Sequence, residues 1–258
     1  MSQLSASSID VRFGHHPVLS GVNLSFGKGC VTAIVGPNGA GKSTLMDCLA
    51  GIRRPTHGQI TLDARDIYPM PARQRARAIA YLPQQSEIAW AVDGETLVAL
   101  GRTPHTGATG LTDQDHKAIQ HAMAATQTTG FRERLVTTLS GGERARLLIA
   151  RAMATDPQWL LADEPLAGLD PKHALDAMAL FHSLAHDEGR GVIITLHDLN
   201  IALRLADRVI VLAKGKVVAD DEPQTALSAD VMKEAYGIST CITQGTGGSI
   251  LEVLGHAG

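Results

Sequence analysis

The sequence has few aromatic residues, few cysteines and no long apolar run, and each shortage narrows what the chain can be. Aromatic side chains make up 3% of the 258 residues, so packing has to rest on Ala, Leu, Ile and Val. The 3 cysteines are widely spaced and form no C-x-x-C pair, which is typical of a reducing compartment and not of a disulfide scaffold. No run approaches the roughly 18 apolar residues that span a membrane. The N-terminus lacks a basic segment followed by an apolar one, so we expect no signal peptide.

Charge and histidine content exclude further classes of protein. The formal net charge is −3, which argues against a general nucleic-acid-binding protein. The 11 histidines form no mixed Cys/His cluster with the spacing of zinc ligands, so we expect no structural zinc site. A hydrophobic fraction of 44% suffices for a sizeable core, and 258 residues allow one large α/β domain or a core with a smaller lobe.

One glycine-rich stretch fits the phosphate-binding loop pattern G-x-x-x-x-G-K-[ST] at every position. Residues 31–35 predict a buried strand before it, and residues 45–50 predict a helix after it that stops at Gly51. Glycines let the backbone N–H groups point inward, and the start of the helix adds partial positive charge. The alternative is a glycine-rich turn with a surface lysine. The residues expected to bind nucleotide here are Gly36, Pro37, Asn38, Gly39, Ala40, Gly41, Lys42, Ser43 and Thr44.

Particular residues of the loop, and an acid pair downstream, suit particular roles in ATP hydrolysis. Lys42 is expected to reach the β- and γ-phosphates, and Ser43 to ligate Mg²⁺. Asp163 and Glu164 end the apolar stretch that begins at Trp159. A carboxylate in the position of Asp163 binds Mg²⁺ directly or through water, and Glu164 is placed to take a proton from the attacking water. Acid pairs also end strands by chance, so this prediction depends on the complete loop upstream.

The order of the predicted elements indicates an α/β fold with a helical insertion. The apolar runs 159–162 and 192–195 are separated by a helical pattern, which is typical of parallel βαβ units. Two short strands around a turn are predicted before the phosphate loop. Residues 87–155 show helical windows and no strand pattern. We therefore expect a core of mixed sheet with an antiparallel N-terminal part in residues 1–86 and 156–258, and an inserted helical subdomain in residues 87–155.

Leu-Ser-Gly-Gly-Glu at residues 139–143 opens a further helical pattern. A serine hydroxyl and backbone N–H groups at the start of a helix can bind a second anion. The alternative is a helix cap that binds no ligand. The residues of this candidate site are Ser140, Gly141, Gly142 and Glu143.

The order of the motifs is the most specific signal in the sequence. The phosphate loop is followed by Leu-Ser-Gly-Gly-Glu, Leu-Leu-Ala-Asp-Glu-Pro, Ala-Gly-Leu-Asp and Thr-Leu-His-Asp. In this order they resemble the ATP-binding cassette (ABC) ATPases, and the resemblance covers residues 9–219. It implies a phosphate-loop ABC ATPase fold that hydrolyses ATP with Mg²⁺. It also implies a homodimer in which Leu-Ser-Gly-Gly-Glu of one subunit closes over the ATP held by the other.

The resemblance also implies roles for individual residues. Gln84 matches the glutamine that senses Mg²⁺ and links the two lobes, and His197 matches the histidine that contacts the γ-phosphate. Asp170 matches an aspartate at the subunit boundary. Phe13 stands where Tyr usually stacks on adenine, and the alternative is an ordinary core or exposed-strand Phe. Glu143 stands where many members have Gln, which alters a polar contact near the nucleotide.

Further local matches point to one group within this family. Tyr-Leu-Pro-Gln at 81–84, Gly-Arg-Thr-Pro-His at 101–105 and Leu-His-Asp-Leu-Asn at 196–200 resemble ATPase subunits that power import of ferric siderophores, haem or cobalamin. The segment 101–105 is also explained by a simple helix stop. Molybdate importers share much of the pattern. A soluble ABC ATPase that assists iron–sulfur cluster assembly is the rival from another class.

An importer subunit of this kind implies a set of partners and a location. It would sit peripherally at the cytoplasmic face of the inner (plasma) membrane on integral-membrane permease subunits, with an indirect link to a substrate-binding protein. We expect no nucleic-acid partner. We expect the permease contact around residues 84–93, where Ile88 and Trp90 are apolar candidates for an exposed segment; burial of Trp90 is the alternative.

Overall fold

The computed structural model describes residues 3–84, 91–107 and 110–257, and all structural statements refer to these ranges. The strands, in chain order, are β1 Gln3–Phe13, β2 His16–Gly27, β3 Cys30–Val35, β4 His57–Leu62, β5 Arg65–Asp66, β6 Ile79–Leu82, β7 Trp159–Asp163, β8 Gly191–Thr195, β9 Arg208–Ala213, β10 Lys216–Asp221, β11 Ile238–Gly245 and β12 Gly248–His256. The α-helices are α1 Lys42–Leu49, α2 Ala72–Ala78, α3 Gly94–Ala99, α4 Asp113–Ala125, α5 Gly141–Ala154, α6 Pro171–His186, α7 Leu199–Leu205, α8 Pro223–Ala226 and α9 Ala229–Tyr236.

A six-stranded mixed sheet in the order β10-β9-β3-β8-β7-β6 forms the centre of the molecule. The strands from β9 to β6 are parallel neighbours, and β10 pairs with β9 antiparallel. Strands β7 and β8 are buried along their whole length. Parallel strands covered on both faces are apolar throughout, which is why these runs stood out in the sequence. The predicted α/β fold with a mixed sheet is confirmed.

Alternate residues of β3 belong to two hydrophobic clusters, which lie on opposite faces of this sheet. Val31, Ala33 and Val35 pack with helices α3 to α6, whereas Ile34 packs with α1 and the N-terminal strands. Successive side chains of a strand point to opposite faces, so one short strand can join two cores. This arrangement fixes the carboxyl end of β3, from which the phosphate loop departs.

The antiparallel N-terminal sheet has the order β2-β1-β4-β5. Its strands β1 and β2, of 11 and 12 residues, are longer than the two short strands that the sequence predicted before the phosphate loop. The pairing register shifts between Ala6 and Ile9, where Ser8 has a φ of 51°. Such an irregularity breaks the strict alternation of apolar and polar residues, and the sequence pattern therefore reveals only part of each strand.

Helices α3, α4 and α5 follow one another and pack together. Among the described residues between Asp93 and Thr155 the structure contains helices and 3₁₀ turns and no strand element. Thr112 caps α4 through a hydrogen bond that its side chain accepts from the backbone N–H of Asp115. The division of the chain at residues 87 and 155 stays a prediction.

The C-terminal hairpin of β11 and β12 was not predicted. Its strands carry Ser, Thr, Gln and Gly, and few of their residues are fully buried. The hairpin packs on α9 and α7, and Leu251 of β12 is buried in the larger hydrophobic cluster. None of the helices in the described part of the chain combines the length and the apolar character needed to cross a bilayer.

Candidate nucleotide site

The loop between β3 and α1 depends on glycine at its two ends. A Cβ on Gly36 would lie 2.0 Å from the carbonyl oxygen of Leu212. Gly41 has a φ of 102°, and a Cβ there would lie 2.7 Å from Cδ2 of Leu19. Backbone and core side chains thus occupy the space that any other residue would need. The loop is held tightly between β9, β2 and α1.

Helix α1 begins without a cap of its own. Gly41 is its N-cap residue and offers no side-chain acceptor, and the first turn holds no acidic residue. The first N–H groups of an α-helix have no partner within the helix and attract anions. The start of α1 can therefore bind a phosphate group.

Lys42 lies in the first turn of α1 and points back over the loop. Its Nζ donates hydrogen bonds to the carbonyl oxygens of Gly36 at 2.7 Å and Pro37 at 3.3 Å. Burial lowers the pKa of Lys42, and the carboxylates of Glu164 and Asp163 oppose that effect. The ammonium group is thereby held at the loop with acidic groups nearby.

Asp163 and Glu164 lie where β7 ends, beside the end of β8. Thr195 is the register partner of Asp163, and its hydroxyl donates a short hydrogen bond to Oδ1 of that aspartate. The same hydroxyl oxygen accepts a hydrogen bond of 2.8 Å from the backbone N–H of Glu164. Thr195 was not predicted as a site residue. The available signal was a threonine that ends an apolar strand predicted to be parallel to the strand of Asp163.

Gln84, Glu164 and His197 converge on one another from three separate segments. Nε2 of Gln84 donates to Oε2 of Glu164 at 2.7 Å, and Nε2 of His197 contacts Oε1 of the same carboxylate. Glu164 has a φ of 53°, which lies in the left-handed region that a residue other than glycine rarely adopts. Strained backbone of this kind is often found at functional sites.

These groups share a cavity of about 620 Å³. Ligand sites usually have volumes of roughly 300 to 1,000 Å³. The cavity is lined by Phe13, Val18, Asn38, Gly39, Ala40, Gly41, Lys42, Ser43, Thr44, Gln84, Glu164 and His197. Val18 was not predicted. Phe13 is 46% exposed at one edge, with the guanidinium carbon of Arg53 lying 4.6 Å from the ring centroid.

The residues of the second predicted anion site do not line this cavity. Ser140 caps α5 by accepting from the N–H of Glu143 at 3.2 Å, and Glu143 accepts from the N–H of Ser140 at 2.8 Å. That bond from Ser140 holds the pKa of Glu143 below its usual value. Nη1 of Arg134 lies 3.1 Å from Oε1 of Glu143. Gly141 and Gly142 belong to the same helix start.

Asp170 also lies outside the cavity lining and caps α6. Its carboxylate accepts hydrogen bonds from the backbone N–H of His173 at 2.9 Å and from its ring Nδ1 at 2.8 Å. The backbone bond is the main cause that lowers the pKa of Asp170. In the described part of the chain the candidate nucleotide site is thus an open cavity, and Ser140 and Asp170 lie outside its lining.

Comparison with known families matches the chain to one of them. The family described as ABC transporter matches residues 19–167, which include the phosphate loop, Ser140 and Glu164. The chain belongs to the ABC transporter family. The resemblance deduced from the motifs is confirmed, and the chain is an ATPase of that family.

Curated relatives of this ABC ATPase match it over most of its length. A hemin import ATP-binding protein of Gloeobacter violaceus is 40% identical over 93% of this chain and 89% of its own. An iron(3+)-hydroxamate import ATP-binding protein of Bacillus subtilis is 34% identical over 92% of this chain and 89% of its own.

Solved structures give the same result for the fold. A chain of an inward-facing ABC transporter described as metal-chelate type superposes with a TM-score of 0.84 at 25% identity, covering 99% of this chain and 98% of that one. A dimeric cassette bound to ADP and Pi in a post-hydrolysis state has a TM-score of 0.78 at 26% identity, covering 86% of this chain and 99% of its own.

The segment Gly101 to His105 of this ABC ATPase holds the end of helix α5. Nη1 of Arg102 donates to the carbonyl oxygen of Ala154 at 2.8 Å, and Nε2 of His105 lies 2.9 Å from that of Thr155. A Cβ on Gly101 would lie 2.1 Å from the carbonyl oxygen of Arg151, so only glycine fits. The segment is therefore more than a helix stop. It donates hydrogen bonds to carbonyl oxygens at the end of α5, which have no partner within that helix.

Proposed function

We propose that this chain is the ATP-hydrolysing subunit of an importer for an iron chelate, such as a ferric siderophore or haem, or for cobalamin. The convergence of Gln84, Glu164 and His197 beside the phosphate loop is the observation that carries the ATPase part of the proposal. The cargo class is supported by the hemin and iron-hydroxamate import relatives and by the metal-chelate type transporter.

Each residue of the cavity has a chemical task in this proposal. Phe13 stacks on the adenine ring, since half of its surface is open and aromatic stacking needs no hydroxyl. The N–H groups of the loop and Lys42 neutralise the phosphates. Glu164 accepts the proton of the attacking water, while Gln84 and His197 hold its carboxylate in place from both sides. His197 is then also within reach of the γ-phosphate.

The residues present fit Mg²⁺. Because Nε2 of Gln84 is bound to Glu164, its amide oxygen is left as a candidate ligand. The other candidates are the hydroxyl of Ser43, which lines the cavity, and the carboxylate of Asp163, which is hydrogen-bonded to Thr195 and does not line it. The described residues contain no cluster of three or more His, Cys, Asp or Glu that could hold a metal alone. Mg²⁺ at nucleotide sites needs only one or two protein ligands besides phosphates and water. When bound, it would neutralise charge that develops on the phosphates.

A second copy of the chain completes the site in this proposal. The residues of the second predicted anion site and Asp170 do not line the cavity of their own chain, so they could contact the nucleotide of a second copy. They are Ser140, Gly141, Gly142, Glu143 and Asp170. The dimeric cassette among the structural relatives supports this arrangement. The two nucleotides would then be shared between two copies, and hydrolysis would open the pair.

We assign the permease contact to a groove between the sheet edge and the helices. The groove has a volume of about 270 Å³ and is lined by residues of β6, of α5 and of the segment that follows α3. Leu100 is 47% exposed at its rim. Through this contact the chain would sit peripherally on integral-membrane permease subunits at the cytoplasmic face, with a substrate-binding protein on the far side. Ile88 and Trp90 lie outside the described residues, so their part in the contact stays a prediction.

Uptake measurements test the proposal. Cells that lack the chain would be given labelled haem, ferric siderophore, cobalamin or molybdate, and would be restored with the native chain, Glu164→Gln or Glu234→Gln. Glu234 is exposed on α9 and serves as the matched control. We expect loss of one uptake, rescued by the native chain and the control but not by Glu164→Gln. Loss of molybdate uptake would correct the cargo. Normal uptake of all four with failing iron–sulfur enzymes would overturn the importer function in favour of the soluble rival.

A further inference from the structure

Helix α7 begins next to the proposed site and is tied to the C-terminal hairpin by one side chain. Asn200 lies in its first turn, three residues after His197. Its Nδ2 donates to the carbonyl oxygen of Leu251 at 3.1 Å, and its Oδ1 accepts from the N–H of Leu251 at 2.8 Å. The carboxamide thus pairs with both backbone groups of one residue of β12, as a neighbouring strand would.

The residue of the hairpin to which Asn200 is hydrogen-bonded is well packed. Leu251 is 4% exposed and belongs to the larger hydrophobic cluster. Ile242, its partner on β11, is packed against the same cluster. A bidentate hydrogen bond to such a residue restrains both the position and the rotation of the helix that carries Asn200.

The residues directly before and after His197 are also held by hydrogen bonds, so the backbone at His197 has little freedom to move. The backbone N–H of Leu196 donates to the carbonyl oxygen of Ile34 at 3.1 Å. Asp198 caps α7 by accepting from the N–H groups of Asn200 at 2.8 Å and Ile201 at 3.1 Å. His197 itself is half exposed and contacts Glu164 with its ring. Its placement therefore depends on the strand before it and on the helix after it.

We propose that Asn200 is a positioning residue for ATP hydrolysis, which holds His197 against Glu164 by fixing the start of α7 to the C-terminal hairpin. This inference rests on the proposed role of His197. It gives a task to the last residue of Leu-His-Asp-Leu-Asn and to a hairpin that the chemistry itself does not use. A shift of a reacting or orienting group by about 1 Å can lower a rate by about 100-fold.

The test is a double-mutant cycle on ATP hydrolysis by the purified full chain. The variants are Asn200→Ala, Asn200→Asp, His197→Ala and the double variant Asn200→Ala with His197→Ala. Aspartate keeps the shape and the acceptor but loses the donor to Leu251. Gln244→Ala is the matched control, because it removes a carboxamide whose hydrogen bond in the described structure stays within the hairpin, to Ser249.

We expect kcat to fall about tenfold in Asn200→Ala and less in Asn200→Asp, with KM for ATP within about twofold of the native value. The double variant should be no slower than His197→Ala alone, because both changes remove the same contribution. The control should keep the native rate. Thermal unfolding of each variant shows that it is folded under the assay conditions.

Several outcomes would overturn the proposal. Rates that multiply in the double variant would mean that Asn200 acts independently of His197. A native kcat in both Asn200 variants, with a slow His197→Ala, would reject Asn200 alone and leave the proposed site intact. A native rate in His197→Ala would reject the role of His197 and this inference together. A fall in kcat that follows the loss of folded protein would reduce Asn200 to a purely structural residue.

Discussion

Helices α1 and α5 both start at a glycine-rich motif that predicts an anion site, but the structure treats the two starts differently. At α1 no side chain caps the helix, and the first turn faces a cavity. At α5 the side chains of Ser140 and Glu143 cap one another's backbone N–H groups, and a negative charge already occupies the position. An anion can bind directly at the first helix and has to compete with Glu143 at the second.

Helix α4 shows what such a cap does when no ligand is involved. Thr112 and Asp115 form the same reciprocal pair as Ser140 and Glu143. Nε of Arg102 lies 2.8 Å from Oδ1 of Asp115, and both side chains are about 95% buried. The cap of α5 is by contrast open to solvent, with Arg134 at its side. The three helix starts therefore differ. The start of α1 has no side-chain cap, that of α4 has a buried cap that stabilises the fold, and that of α5 has a cap that solvent can reach.

The largest effect is expected at the open start, from Lys42→Ala. Its ammonium group is the only side-chain charge that the first turn of α1 directs at the loop, and removal of one such group from a phosphate site costs on the order of 10³-fold in kcat/KM. The free energy of unfolding should change little, because within the described residues Lys42 donates hydrogen bonds only to loop carbonyls. Steady-state ATP hydrolysis and urea unfolding measure both. Strong destabilisation would show that the loop needs Lys42 to fold and would break the contrast with α5.

Asp115→Asn tests how much the buried cap of α4 contributes to stability. Loss of the charge leaves Arg102 buried without its partner, which should lower the free energy of unfolding by about 3 kcal/mol. Hydrogen bonds from Thr112 and the nearby guanidinium hold the pKa of Asp115 well below its ordinary value. The native chain should therefore keep this stabilisation at neutral pH and lose it as the pH falls below the ordinary aspartate range.

Urea unfolding of the native chain and Asp115→Asn between neutral and acid pH measures this difference. The gap in unfolding free energy should narrow in acid, because the native carboxyl is then protonated too. A gap that is constant with pH would mean that shape, and not charge, makes the contribution of Asp115.

Ser140→Ala should give the smallest change, and it sharpens the comparison most. Loss of an N-cap hydroxyl lowers the free energy of unfolding by about 1 kcal/mol. If the hydroxyl also meets the nucleotide of a second copy, hydrolysis should fall several-fold at subunit concentrations where dimers form. Thr138→Ala is the control, since among the described residues its hydroxyl donates only to the carbonyl oxygen of Leu135. Equal rates in the native chain and Ser140→Ala would assign the cap to stability alone.

The sequence predicted the central sheet and the phosphate loop well because each depends on local patterns. Buried parallel strands are continuous apolar runs, and the loop needs glycine at Gly36 and Gly41 for reasons of space. Gln84, Glu164 and His197 were also predicted as site residues. Their mutual contacts were not, because these depend on how three distant segments meet.

Other features were missed for physical reasons. Thr195 acts through a neighbouring strand, and the sequence predicted that the two strands are parallel but not that they are paired in register. The strands β11 and β12 are largely exposed and mix apolar with polar residues without a regular order, so the hairpin lacks the alternation that marks a strand. The bond between Asn200 and Leu251 joins residues 51 positions apart. A motif can show that an asparagine matters, but only the fold shows what it holds.

Helix α5 joins the two surfaces on which another molecule would act. Its 14 residues make a rod of about 21 Å. The groove proposed for the permease and the segment Gly101 to His105 lie at its carboxyl end, and Ser140 lies at its amino end. Backbone hydrogen bonds hold a helix along its whole length, so a displacement imposed at the groove would be passed on to Ser140. Movement of a partner at the membrane and closure over a nucleotide would then be coupled through helix α5.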